Sequence, residues 1–227
     1  MTPGKAYIYA EKYGSLEETR EIVCEDPEFA YEYAKNIDKC PREDTRKAAC
    51  KNFKYAYLYA RDIDKKPRDN TRKAAYESPR YAFFYAQDID QESRNDTRKA
   101  ACQDSRNAYN YAKDVDKKPR DDTRKAACKD PEYAYLYAKD VDKKPHENTR
   151  KSACKDPQGA YSYALEIDKH PREDTRKAAC KEPIWAYLYA KDVDKGFHED
   201  TWEATKNTEF EEKYNKFLNQ IEKSKII

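Results

Sequence analysis

Seven arginines stand in one register of the chain: Arg20, Arg46, Arg72, Arg98, Arg124, Arg150 and Arg176. Each is 26 residues from the next and each directly follows a threonine. A row of guanidinium groups could grip phosphates. A bare row of like charges at a helix-stacking distance of roughly 8–10 Å would repel itself. The repeated acids Asp64, Asp90, Asp116 and Asp142, or the acids two positions before them, are therefore expected to pair with it as an ion-pair ladder. Five residues after the threonines come Cys24, Cys50, Cys102, Cys128, Cys154 and Cys180, with Tyr76 in the one gap. Zinc needs ligands at short spacing, such as Cys-x-x-Cys. Cysteines this far apart read as small buried thiols, and Cys40, outside the column, as an exposed one. Tyr59, Tyr85, Tyr111, Tyr137, Tyr163 and Tyr189 form a third column. It could stack bases or sugars, but identical recurrence reads as packing between repeats, with each hydroxyl finding a polar partner. His146, His170 and His198 fall in loops, no nucleophile–base set is singled out, and the four glycines are scattered. The chain reads as a non-enzyme with no catalytic residue, metal or cofactor.

What must position these columns is a tandem repeat. Thr19, Thr45, Thr71, Thr97, Thr123, Thr149, Thr175 and Thr201 mark eight copies of 26 residues. Such a period means small units stacked on their own copies. Within Lys118–Lys144, Pro119 reads as the first position of one helix, with Asp121 and Asp122 at its positive end. Asp130-Pro131-Glu132 reads as N-cap and first turn of a second helix running to about Lys143. The expected fold is all-α, an α-α solenoid of eight two-helix repeats over residues 1–207. Its first copy, Ala6–Ala10, is degenerate, and a capping helix over 208–227 carries the stripe Phe210, Tyr214, Phe217, Leu218 and Ile221.

On a wheel of 100° per residue, Ala134, Ala138 and Val141 share one face. Tyr133 and Tyr135 lie on opposite flanks, and Glu132, Leu136, Lys139 and Lys143 face away. The outward columns vary between copies: Glu32, Leu58, Phe84, Asn110, Leu136, Ser162, Leu188 in one, and Glu28, Lys54, Arg80, Arg106, Glu132, Gln158, Ile184 in the other. Leu58, Phe84, Leu136, Ile184 and Leu188 are expected to face solvent and to form a partner-binding strip.

Charged residues are 40 % of the chain, 46 basic against 44 acidic, so the formal net charge is +2. That balance disfavours a dedicated nucleic-acid binder. The 21 tyrosines and only four glycines argue for order despite a mean hydropathy of −1.29. No apolar run reaches a membrane span, the N-terminal residues lack the apolar core of a signal peptide, and the cysteine usage fits a reducing cytoplasm.

The stretch Asp26-Pro-Glu-Phe-Ala-Tyr-Glu-Tyr-Ala34 with Ile37, and Asp130 to Ala138 with Val141, resembles the Asp-Pro-Glu-x-Ala-Tyr-x-Tyr-Ala repeats of uncharacterised bacteriophage and large-virus proteins. The likeness extends to about Asn207. It departs in Thr-Arg-Lys-Ala-Ala-Cys of the companion helix, and at Asn52-Phe53 and Asp104-Ser105, where Asp-Pro is lost. It implies a helical-repeat fold and a viral origin, with the host cytoplasm as location. Together these readings lead to a non-enzymatic protein-interaction scaffold acting on a host or viral protein. The alternative is a self-assembling structural protein, and nucleic-acid binding comes third.

Overall fold

A computed structural model of the chain describes residues 1–224. The described residues form seventeen α-helices and no strand. Residues 225–227, the end of the expected 208–227 segment, lie outside them. The chain groups into two compact units, Met1–Asp116 and Lys117–Ile227. Unit 1 holds α1 (Pro3–Tyr13), α2 (Glu17–Val23), α3 (Pro27–Tyr33), α4 (Glu43–Ala49), α5 (Phe53–Tyr59), α6 (Asp69–Ala75), α7 (Pro79–Tyr85), α8 (Asn95–Ala101) and α9 (Ser105–Asn110). Unit 2 holds α10 (Asp121–Ala127), α11 (Pro131–Tyr137), α12 (Glu147–Ala153), α13 (Pro157–Tyr163), α14 (Glu173–Ala179), α15 (Pro183–Tyr189), α16 (Glu199–Thr205) and α17 (Glu211–Ser224). Each unit is a run of the same helix pair, the helical-repeat solenoid read from the sequence.

Short polar signals set the helix starts. Asp130 caps α11, its Oδ1 accepting from the N–H groups of Glu132 and Tyr133 at 2.9 and 3.3 Å. Asp26, Asn52, Asp104 and Asp156 cap α3, α5, α9 and α13 in the same way. The first helix of the repeat starts later than the sequence suggests. Pro119 lies outside α10, whose N-cap is Arg120 in an extended conformation (φ −138°, ψ 150°). The reason is tertiary: both backbone polar groups of Arg120 bond to the hydroxyl of Tyr137, so this residue stays out of the helix.

The second helix also ends differently. Instead of running on as a plain α-helix to Lys143, α11 passes into a π-helical segment, Ala138–Asp142. Lys143 then takes the left-handed conformation, φ 53°. The same happens at Lys39, Lys65, Gln91, Lys117, Lys169 and Lys195. A side chain there clashes with the backbone in a way glycine does not, at about 1–2 kcal/mol. Glycine loses more chain entropy on folding, which offsets part of that gain. Lys143→Gly is expected to stabilise unit 2 by about 0.5–1 kcal/mol, read as a higher urea midpoint.

Within each unit these second helices pack most closely on the first helix of the following repeat: α3 on α4, α5 on α6 and α7 on α8 in unit 1, α11 on α12, α13 on α14 and α15 on α16 in unit 2. Alanine makes that approach possible. Ala138 meets Ala153 and Tyr163 in one cluster, and Ala34 meets Ala49, Tyr31 and Tyr59 in another, all almost wholly buried. At the end of unit 2, α17 stands where the next second helix would be. Its Tyr214 is fully buried beside Trp202, and Phe210 reaches Tyr187, ring centroids 6.1 Å apart.

Candidate interaction surface

The residue columns that could do chemistry are engaged in holding the repeat together. Arg124 lies over the Tyr137 ring and binds Asp142 through Nε and Nη2, the shortest contact 2.8 Å, while Nη1 donates to Asp121 at 2.6 Å. Arg46 meets Asp64 at 2.7 Å, Arg72 meets Asp90 at 2.8 Å and Arg176 meets Asp194 at 2.7 Å. These guanidiniums have their pKa raised, the bonds to the aspartates outweighing burial. The pairs are nearly sealed from water; the Asp64 and Asp142 side chains are 0 and 1 % exposed. All of them close within one repeat.

Two repeats depart from the rule. Arg98 is 3.6 Å from Asp116, and Ser93, which stands where five repeats have proline, bridges them by bonding to both, as Ser15 does for Arg20 and Asp38. Arg150 divides itself between Asp168 at 3.3 Å and Asp174 of the next repeat at 3.0 Å. Oδ2 of Asp168 is left buried without a hydrogen bond. Burial raises the Asp168 pKa, and Arg150 only partly opposes it.

The tyrosine column is a clamp. The Tyr137 hydroxyl accepts from Arg120 N–H at 3.0 Å and lies 3.1 Å from Arg120 O and 2.8 Å from Thr123 Oγ1. Tyr59, Tyr85, Tyr111, Tyr163 and Tyr189 make the equivalent bonds to Thr45, Thr71, Thr97, Thr149 and Thr175, and all six rings are fully buried. Tyr214 of α17 does the same for Thr201 and His198, a role missed in the sequence because its spacing from the threonine is 13 residues rather than 14. A second tyrosine column links successive repeats: Tyr31 donates to Asp62, Tyr57 to Asp88 and Tyr161 to Asp192. Burial pushes the Asp62 carboxyl up, but Arg61 and the Tyr31 hydroxyl outweigh it and hold it down at about 2. The acids two positions before the ladder aspartates thus serve tyrosines, not the arginine column.

The thiols of the column are half-buried rather than sealed, and none forms a disulfide among the described residues. Burial pushes Cys24, Cys50, Cys128 and Cys154 up to about 11 and Cys180 to about 12, so they stay protonated at neutral pH. Cys40 is exposed. His146 and His198 cap α12 and α16 through Nδ1.

The strip expected to face solvent does so only at Ile184, 40 % exposed. Leu58, Phe84, Leu136 and Leu188 are half-buried. A wheel treats each helix as isolated, whereas stacked second helices have neighbours on both sides, and side chains lean into the groove between them. Leu58 touches the clusters around both Tyr59 and Tyr85, and Phe84 those around Tyr85 and Tyr111. Leu136 borders a recess of about 590 Å³ with Glu132, Asp156, Gln158 and Ser162. What does stand out in water is the neighbouring column: Lys54, Arg80, Arg106, Glu132, Gln158 and Ile184 are all exposed.

Comparison of the chain with protein-family models, with curated proteins and with solved structures finds no match in any of the three. No helix among the described residues is long and apolar enough to cross a membrane.

Proposed function

We propose that the chain is a non-enzymatic scaffold that presents repeated helical surfaces to a protein partner. The supporting observation is a division of labour within the repeat. The Arg–Asp pairs and the Tyr–Thr clamp recur almost unchanged and are spent on holding helices together, while the exposed column from Lys54 to Ile184 changes charge and shape from copy to copy. A frame that is constant inside and variable outside suits recognition more than turnover. The resemblance to phage and large-virus repeats leads us to place it in the host cytoplasm, acting on a host or viral protein.

Self-assembly is the second reading, favoured by the exposed apolar face of α1 and the residues after it: Ile8 at 64 %, Tyr13 at 60 % and Leu16 at 42 %. Light scattering across a wide concentration range separates the two. A mass that stays at 26.8 kDa supports an external partner, and a mass that grows with concentration overturns that reading in favour of assembly. Oligonucleotide binding with a steep salt dependence would overturn both.

A further inference from the structure

The π-helical side of unit 2 carries two surface recesses, of about 340 and 380 Å³. Their linings correspond residue for residue at a shift of one repeat. The floor is Ala138, Pro145 and Ile167 in the first and Ala164, Pro171 and Val193 in the second. The rim follows the same shift. Lys143, Lys144 and Lys169 of the first become Lys169, His170 and Lys195 of the second, and Lys139 becomes Leu165, 37 % exposed. Lys169 belongs to both.

The rim charge is unbalanced although the chain is nearly neutral. Among the described residues each recess is lined by a single acid, and both are already engaged. Glu166 pairs with Lys139 at 2.6 Å, and Asp192 accepts from the Tyr161 hydroxyl at 2.8 Å. Lys143, Lys144, Lys169 and Lys195 are exposed and make no ion pair among the described residues. The acids of the repeat are instead drawn inward, Asp142 to Arg124 and Asp194 to Arg176. Three of these lysines, Lys143, Lys169 and Lys195, are the left-handed residues that end the π-helical segments, so the same backbone turn sets where each stem leaves the chain.

We infer that these two recesses bind an extended acidic segment of a protein partner, seating one apolar side chain on each apolar floor while its carboxylates meet the lysine rims. The spacing supports this. Adjacent stacked helices lie about 8–10 Å apart, and a polyproline-II strand advances about 9 Å in the three residues that return a side chain to the same face. Apolar residues at i and i+3, with acids between, fit two recesses one repeat apart. A nucleic-acid backbone would use the lysines but not the floors, and among the described residues no Phe, Tyr or Trp lines either recess for a base to stack on, His170 of the second being the one ring present. The inference rests on the scaffold reading and names its partner's chemistry.

The test is fluorescence anisotropy of the full chain with three labelled probes: a peptide of tandem Leu-Glu-Glu triplets, its Ser-Glu-Glu counterpart, and an oligothymidylate. The leucine peptide is expected to bind most tightly. Lys169→Glu, which alters both recesses, should weaken it by about tenfold. Lys125→Glu, the same charge change on exposed α10 surface, should have little effect. Circular dichroism confirms that both variants fold. The inference is overturned if the serine peptide binds equally well, if the oligothymidylate binds more tightly, if the two lysine variants behave alike, or if no probe binds. Absence of binding would leave the scaffold reading to the light-scattering result, which does not depend on these lysines.

Discussion

Arg124→Ala is expected to destabilise unit 2 by about 3–5 kcal/mol, among the largest effects available to a single substitution in this chain. The substitution leaves the Asp142 carboxylate, 1 % exposed, without its cation. It also removes the guanidinium lying over the Tyr137 ring. The pair is a specification more than a source of net stability, since two buried ions give back in desolvation much of what they gain in attraction. Arg124→Met combined with Asp142→Leu should therefore recover most of the loss. Urea unfolding followed by circular dichroism reads both, and a double variant as weak as the single would show that the pair contributes more than that balance allows. Asp168 supplies the contrast. Its partner is shared with Asp174, one of its oxygens is unbonded, and burial raises its pKa. A raised carboxyl binds protons more readily folded than unfolded, so this site becomes more favourable as pH falls through the carboxylate range and less so as it rises. At neutral pH Asp168→Asn should cost little or stabilise, while Asp142→Asn destabilises.

The clamp is the second large effect. Tyr137→Phe keeps the ring but removes the hydroxyl that bonds the Arg120 N–H and carbonyl, leaving Thr123 Oγ1 its bond to Arg120 O alone, for an expected loss of about 1–3 kcal/mol. Tyr137→Ala adds a cavity and should cost about 3–5 kcal/mol. Because the hydroxyl fixes the start of α10, the phenylalanine variant should speed hydrogen exchange at the Arg120 amide before it affects amides in α14 or α15. Uniform acceleration would mean that the clamp is not local.

The columns tied to the repeat period were readable before any coordinates. Thr123, Arg124, Tyr137 and Asp142 recur at one interval, and an Arg row with an acid row implies pairing on electrostatic grounds alone. Three features were not readable. The π-helical turn at Ala138–Asp142 leaves no mark on hydrophobic spacing, because alanine, lysine and aspartate there suit an α-helix equally well. The outward column was misjudged because burial between stacked helices depends on both neighbours, which a wheel of one helix leaves out. The two lysine-rimmed recesses join a π-helical segment, a loop and the next repeat's segment, and residues so placed show no common spacing until the repeats are stacked.

The bonds that define a repeat lie between Arg120 and Asp142, and their counterparts lie within each other copy. The end helix satisfies the last copy with Tyr214 whatever number of copies precedes it. At the level of the gene this makes the repeat a cassette. In-register recombination between two copies would add or delete a whole unit without breaking a Tyr–Thr clamp or an Arg–Asp pair that closes within a repeat. Chains of differing length could arise this way, each with a different number of lysine-rimmed recesses, so the reach of the proposed binding surface could change by duplication alone.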